Sequence, residues 1–186
     1  FVFGRSFFGF IGMVANFYAL EHLTMAEANM LNKLSPVFVT ICACMFLKER
    51  VDKKQVIGII LMLLAVVFVI KPSFSPEIIP SLAGLSSAVL AGFSYTIIRY
   101  LNGKVKSEIN VLYFSLLSVV CTFPLMMMNF VKPTLSEFLI LLGGIGISAA
   151  IGQFGLTYAY TFAPASEVSI YNYVIIITSM LMDYIL

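Results

Sequence analysis

The side chains able to do chemistry in this chain are few, and most lie in apolar surroundings. Asn29, Asn32, Lys33 and Pro36 stand at i, i+3, i+4 and i+7, the spacing of one helix face, and Thr40 extends the row. The amides offer donors and acceptors, Lys33 offers a positive charge, and Pro36 withholds one backbone donor and so should bend its helix and free carbonyls. Such a face suits the binding of a small polar solute. Lys33 would hold a carboxylate or phosphate; its competing roles are to snorkel toward the headgroups or to pair with a carboxylate of another helix. Ser169, Asn172 and Tyr173 form a second polar group, and Tyr95, Gln153, Asn16, Tyr18 and Tyr160 are further candidates for a cavity wall.

Two carboxylates carry two readings each. Thr24-Met-Ala-Glu27 has the spacing of a capping box, in which Glu27 would serve backbone N–H groups at a helix start. Glu27 is also about 200° round the helix from Asn29, at roughly 100° per residue. Glu167 follows Pro164 and has the same helix-start reading. The alternative for both is proton coupling or gating. Absent are the spacings of hydrolytic, metal or nucleotide-phosphate centres. Cys42, Cys44 and Cys121 sit in apolar stretches without paired spacing and read as small packed hydrophobes. No enzyme, cofactor or metal is therefore expected, and the small net charge of +2 suggests no nucleic-acid partner.

These residues must be positioned by elements that tolerate lipid. The chain has 186 residues, 61% of them hydrophobic and only 11% charged, against roughly 25% charged in soluble domains. A bilayer can solvate that much apolar surface, and in it each backbone group must be satisfied within its own helix. Charges, Pro and Gly divide the chain into segments near 6–22, 26–47, 55–70, 80–100, 110–130, 136–162 and 165–186, each close to the span of a membrane helix. The fold class is all-α, a polytopic transmembrane helix bundle. If the segments alternate direction, Arg5, Lys48, Arg50, Lys53, Lys54, Arg99, Lys104 and Lys106 fall on one side, and only Lys71 and Lys132 on the other. The positive-inside rule makes that first side cytoplasmic, placing the loops near 48–54 and 101–109 there. Small-residue rows Gly84, Ala88, Gly92 and Gly144, Ser148, Gly152 predict close helix neighbours.

A displacement of 140 residues lays 6–47 over the end of the chain, where Glu27 meets Glu167, Asn32 meets Asn172 and Tyr18 meets Tyr158. The displacement spans five helices, an odd number, so the two units would run oppositely through the membrane. Inverted repeats with a midplane site between them are a mark of secondary transporters.

The run FYALEHLTMAEANMLNKLSPVFVTICACMFLKERVDKKQVIGIILMLLAVVFVIKP resembles the core of an EamA-type domain of the drug/metabolite transporter superfamily, and GQFGLTYAYTFAPASEVSIYNYV resembles the matching part of a second such domain. The resemblance implies ten helices as two inverted five-helix repeats around a central cavity. It implies that this chain is an internal fragment holding helices three to nine. Residues 1–72 would complete the first repeat, 73–79 would be an extracytoplasmic linker, and 80–186 would form the second repeat without its last helix. The implied function is transport of small metabolites such as amino acids, by alternating access in the plasma membrane, in the direction of export. Protons as a coupling ion and homo-oligomerisation stay open. The rivals are a membrane-embedded enzyme, which would need a catalytic cluster facing the bundle, and a scaffold, which would not need a deep Lys33.

Overall fold

The computed structural model describes residues 1–70, 78–128 and 130–174. All of its regular elements are helical: α1 (Val2–His22), α2 (Met25–Asn32), α3 (Ser35–Cys42), α4 (Lys53–Ile70), α5 (Ile78–Tyr100), α6 (Ser107–Met128), α7 (Leu135–Leu139), α8 (Ile147–Phe162) and α9 (Ala165–Tyr171). Wider π-type turns prolong α3 through Ala43–Leu47 and join α7 to α8 through Ile140–Gly146. The expected segments are helical where they are described, except for turns at 33–34 and 172–173 and for Phe130; residues 175–186 of the last, and most of the expected linker 73–79, lie outside the described residues. Glu27–Leu47, Ile78–Tyr100, Ser107–Met128 and Leu135–Phe162 are long and apolar enough to cross a membrane. The protein is an all-α, polytopic membrane helix bundle. On α6, Leu112, Leu116, Val119, Val120 and Phe123 are all exposed, a surface that water would disfavour and lipid solvates.

The centre of the bundle is α5. Helix α1 packs antiparallel to it. A Cβ on Gly9 would meet Ser94, one on Gly12 would meet Leu90 and Ser87, and Ala19 lies against Gly84. Helices α2 and α3 run along α5 in parallel, and here the small-residue row does its expected work. A Cβ on Gly92 would stand 2.8 Å from Phe38 Cβ and 3.0 Å from the Phe38 carbonyl carbon. Only a glycine admits that approach, because backbone cannot give way as a flexible side chain can. The second row behaves differently. A Cβ on Gly144 or Gly152 would meet nothing within 4 Å, and α7–α8 buries little of its surface among the described residues. The expected close neighbour exists for α5 and not, among the described residues, for Gly144 and Gly152.

At one end of the bundle the basic loops gather. Lys48 adopts a left-handed conformation (φ 54°) and ends the α3 segment, which aims Glu49 at the start of α9. One Glu49 oxygen accepts from Arg99 Nε and Ala165 N, both at 3.3 Å, and the other from Ser166 N at 3.4 Å. Arg99 Nη1 and Asn102 Nδ2 both donate to the Thr161 carbonyl, at 3.0 and 2.6 Å. The loops after α3 and α5 and the turn between α8 and α9 therefore share one end, as alternation of the segments requires.

The two ends of the sequence repeat in backbone detail. Helix α1 ends at His22 and α8 at Phe162, while α2 begins at Met25 and α9 at Ala165, each pair 140 residues apart. The linking residues Leu23 and Ala163 are both extended, and their N–H groups bond the equivalent carbonyls of Ala19 and Ala159. The units also run in opposite directions. Glu49 lies at Ala165, Thr40 at Ser169 and Lys33 at Tyr173, so α9 is antiparallel to α2–α3. Lys33 and Tyr173 are equivalent under the 140-residue displacement and touch each other; two residues exchanged by a twofold axis can do so only close to that axis.

Candidate functional site

The site is built on a break in a membrane helix. Pro36 has no N–H, so the Asn32 carbonyl loses its helical donor. The next amides, Val37 and Phe38, both turn to the Leu34 carbonyl, which leaves the Lys33 carbonyl without its own. Helix α2 ends at Asn32, Lys33 caps it, and α3 starts afresh at Ser35. The vacated Lys33 carbonyl accepts the Tyr173 hydroxyl at 2.8 Å. Helix α9 ends one residue short of the equivalent place, with Asn172 and Tyr173 bonding back to Ser169 and Ile170 in a tight turn. Two discontinuous helices thus cross where each has lost its ladder.

Two cavities meet at this crossing. The smaller, about 290 Å³, is lined by Asn32, Lys33, Ser35, Pro36, Tyr95, Tyr171 and Asn172. The larger, about 890 Å³, lies between α1, α5, α6 and α8; Arg5, Asn16, Asn32, Ser87, Tyr95 and Gln153 supply much of its polarity. Asn32 and Tyr95 line both. Asn32 Nδ2 donates to Asn16 Oδ1 at 3.2 Å, which fixes the amide at the junction. The Tyr95 ring stacks on the buried Tyr160 ring, centroids 5.1 Å apart.

The residues singled out in the sequence divide into three groups. Asn32, Lys33, Pro36, Tyr95, Gln153 and Asn172 line one cavity or both. Ser169 and Tyr173 are buried behind the walls; Ser169 Oγ donates to the Ser166 carbonyl at 3.1 Å and lies 3.5 Å from Thr40 Oγ1. Asn29 is exposed and lines neither cavity. Glu27 does form the capping box with Thr24, accepting from its N–H at 3.1 Å and from its hydroxyl at 2.8 Å. Glu167 is exposed in the first turn of α9. It cannot copy the box, because its cap residue is Pro164, which has no N–H to give. Tyr18 is exposed, with its ring against His22.

Residues not anticipated at the site include Arg5, Ser87, Ser94 and Glu108. Arg5 read as a loop charge, whereas α1 begins at Val2 and buries it to 1% exposure. A signal existed: Arg5, Gly9, Gly12 and Asn16 all line the large cavity at helical spacing. Glu108 carries no such pattern; its carboxylate accepts the Tyr158 hydroxyl at 2.7 Å.

Comparison with known proteins matches residues 1–71 to the EamA-like transporter family. Over 172 residues the chain is 33% identical to the pseudopaline exporter CntI of Pseudomonas aeruginosa, covering 91% of this chain and 60% of that protein. It is 27% identical over 181 residues to an uncharacterized transporter of Helicobacter pylori, covering 93% and 60%. It is 26% identical over 188 residues to mouse solute carrier family 35 member G1, covering 91% and 50%. The chain therefore spans between half and 60% of the length of these relatives. No solved structure matches it.

Proposed function

The chain belongs to the EamA-like transporter family, and from that premise we propose that it forms the solute pathway of a secondary transporter that exports a small metabolite by alternating access. The observation that carries this reading is the crossing of two antiparallel broken helices at Lys33 and Tyr173, beside cavities lined by polar groups. Unwound backbone at membrane depth is tolerated where it is buried in protein or lines a cavity, and transporters use it to bind solutes. The two repeat units rock against each other about the Lys33–Tyr173 axis. Contacts at the basic-loop end, centred on Glu49, hold that end closed in one state and part in the other. The likeness to an exporter supports the outward direction, with the basic loops cytoplasmic in a plasma membrane.

Within the pathway, Asn32, Tyr95, Gln153 and Asn172 hydrogen-bond the solute, Lys33 attracts an anionic group, and Pro36 keeps the helix broken. Ser169 and Tyr173 act from behind the wall. Amino acids and related compounds suit this mixture of amides, hydroxyls and a cation. Glu27 and Glu167 are the candidates for proton coupling; a flux independent of pH in the unaltered protein, and unchanged in Glu27→Gln and Glu167→Gln, would assign facilitated transport instead. The deciding experiment is flux of a panel of amino acids, organic acids and related metabolites in vesicles containing the full-length protein. Saturable transport of a panel member supports the reading, and no transport of any solute overturns it.

A further inference from the structure

The largest fully buried side chain among the described residues is Arg5, and its charge is unanswered. Its exposure is 1%, and its Nε and Nη1 have no hydrogen-bond partner. Among the described residues the one ion pair within 4.0 Å is Arg99–Glu49, so no described carboxylate reaches the Arg5 guanidinium. Glu108 stands in the same cavity wall, with its carboxylate turned to the Tyr158 hydroxyl. What Arg5 does have is a framework. Its carbonyl accepts the Ser94 hydroxyl at 3.0 Å, and its guanidinium carbon lies 4.4 Å from the centroid of the Phe114 ring. The hydroxyl holds the backbone at Arg5 and the ring faces the guanidinium, and Arg5 is a residue of the wall of the 890 Å³ cavity.

Arginine does not lose its proton in proteins, so burial cannot neutralise it. A buried charge with unmet donors is strongly unfavourable unless an anion joins it. A cation–π contact offsets a small part of that penalty and satisfies no N–H. Snorkelling is not the solution adopted, since the group is not at the surface. Arg5 also lies level with Ser94, five residues short of Arg99 on α5, which is about 7.5 Å of helix rise inside the loop end.

We propose that Arg5 is a substrate-binding residue, the anchor for a carboxylate of the transported solute. The guanidinium fork matches the planar carboxylate with two parallel N–H donors. A cavity that offers one such fork among mainly apolar and neutral walls fits a carboxylate on an otherwise uncharged or zwitterionic body. It fits a phosphate, with three oxygens to satisfy, less well. The inference rests on reading the cavity as a transport site and adds the chemical class of the solute to it.

The test uses the full-length protein purified in detergent. Thermal stabilisation is titrated with aspartate, glutamate, succinate and citrate, each against its methyl ester, and with inorganic phosphate. Charge-assisted hydrogen bonds of this kind predict at least one acid binding about 10–100-fold tighter than its ester. Arg5→Gln should bind that acid and ester alike, and Arg5→Lys should keep a weakened preference, having the charge without the fork. Equal affinity for every acid and its ester overturns the proposal, as does no stabilisation by any acid. So does phosphate binding as tightly as the best acid, or an acid preference that survives in Arg5→Gln. The wild-type comparison stands even if a variant fails to fold. Flux without acid preference would sink this inference alone; acid preference without flux of any solute would sink the transport reading alone.

Discussion

Glu49 reaches across the repeat boundary, and removing its carboxylate should open one end of the bundle. In Glu49→Ala the first turn of α9 loses its acceptors for the Ala165 and Ser166 amides, bonds of 3.3 and 3.4 Å. Those lengths are at the weak end for hydrogen bonds, so the capping loss is about 1 kcal/mol. The Arg99 pair at 3.3 Å has partners 24% and 14% exposed, and solvent limits its worth to about 1 kcal/mol. The sum, about 2 kcal/mol, is a shift of about 30-fold between closed and open forms of this end, if the contacts exist only when it is closed. The assay is the reaction rate of a cysteine at Ala91, a residue of the large cavity wall. An impermeant thiol reagent is supplied from the basic-loop side to cysteine-free, full-length protein in vesicles. The rate should rise by up to about 30-fold with Glu49→Ala, and a change under twofold would refute the idea that Glu49 latches this end.

Three further outcomes are expected. Gly92→Ala places a Cβ against the Phe38 backbone and should cost about 1–3 kcal/mol as overpacking, seen as a lowered Tm in detergent; Gly152→Ala, with open space around it, should leave Tm nearly unchanged. Tyr173→Phe removes the donor to the vacated Lys33 carbonyl and should lower stability by about 1 kcal/mol, with a larger loss of transport than of expression. Lys33→Met should abolish flux of an anionic solute while expression stays intact, and an unchanged flux would remove Lys33 from the binding wall.

Local rules carried far here. Apolar length located the described helical segments without fixing the start of α1 or the break between α2 and α3, and the Thr24–Glu27 box and the Pro36 break follow from side-chain chemistry within four residues. The 140-residue displacement is visible in Glu27 and Glu167, but its strongest expression, the matching ends of α1 and α8 and starts of α2 and α9, is a backbone property. Helical periodicity misplaced Asn29 because it assumes one continuous helix. Once α2 stops at Asn32 the face before the break and the face after it need not coincide, so Pro36 lines the cavity and Asn29 does not. Arg5 was misread for a related reason: a charge near a segment start looks like a loop residue until the helix is seen to begin at Val2. The contact of Tyr173 with Lys33 could not be read from either local sequence, since it depends on where the axis between the repeats falls.

The central claim is that the crossing at Lys33 and Tyr173 faces each side of the membrane in turn. It is tested most directly by the accessibility of a cysteine at Asn32, the amide shared by both cavities, in cysteine-free full-length protein reconstituted in vesicles. Alternating access predicts labelling by impermeant reagent from either side, with transported solute slowing both reactions. Labelling from one side alone, unchanged by solute, would contradict it.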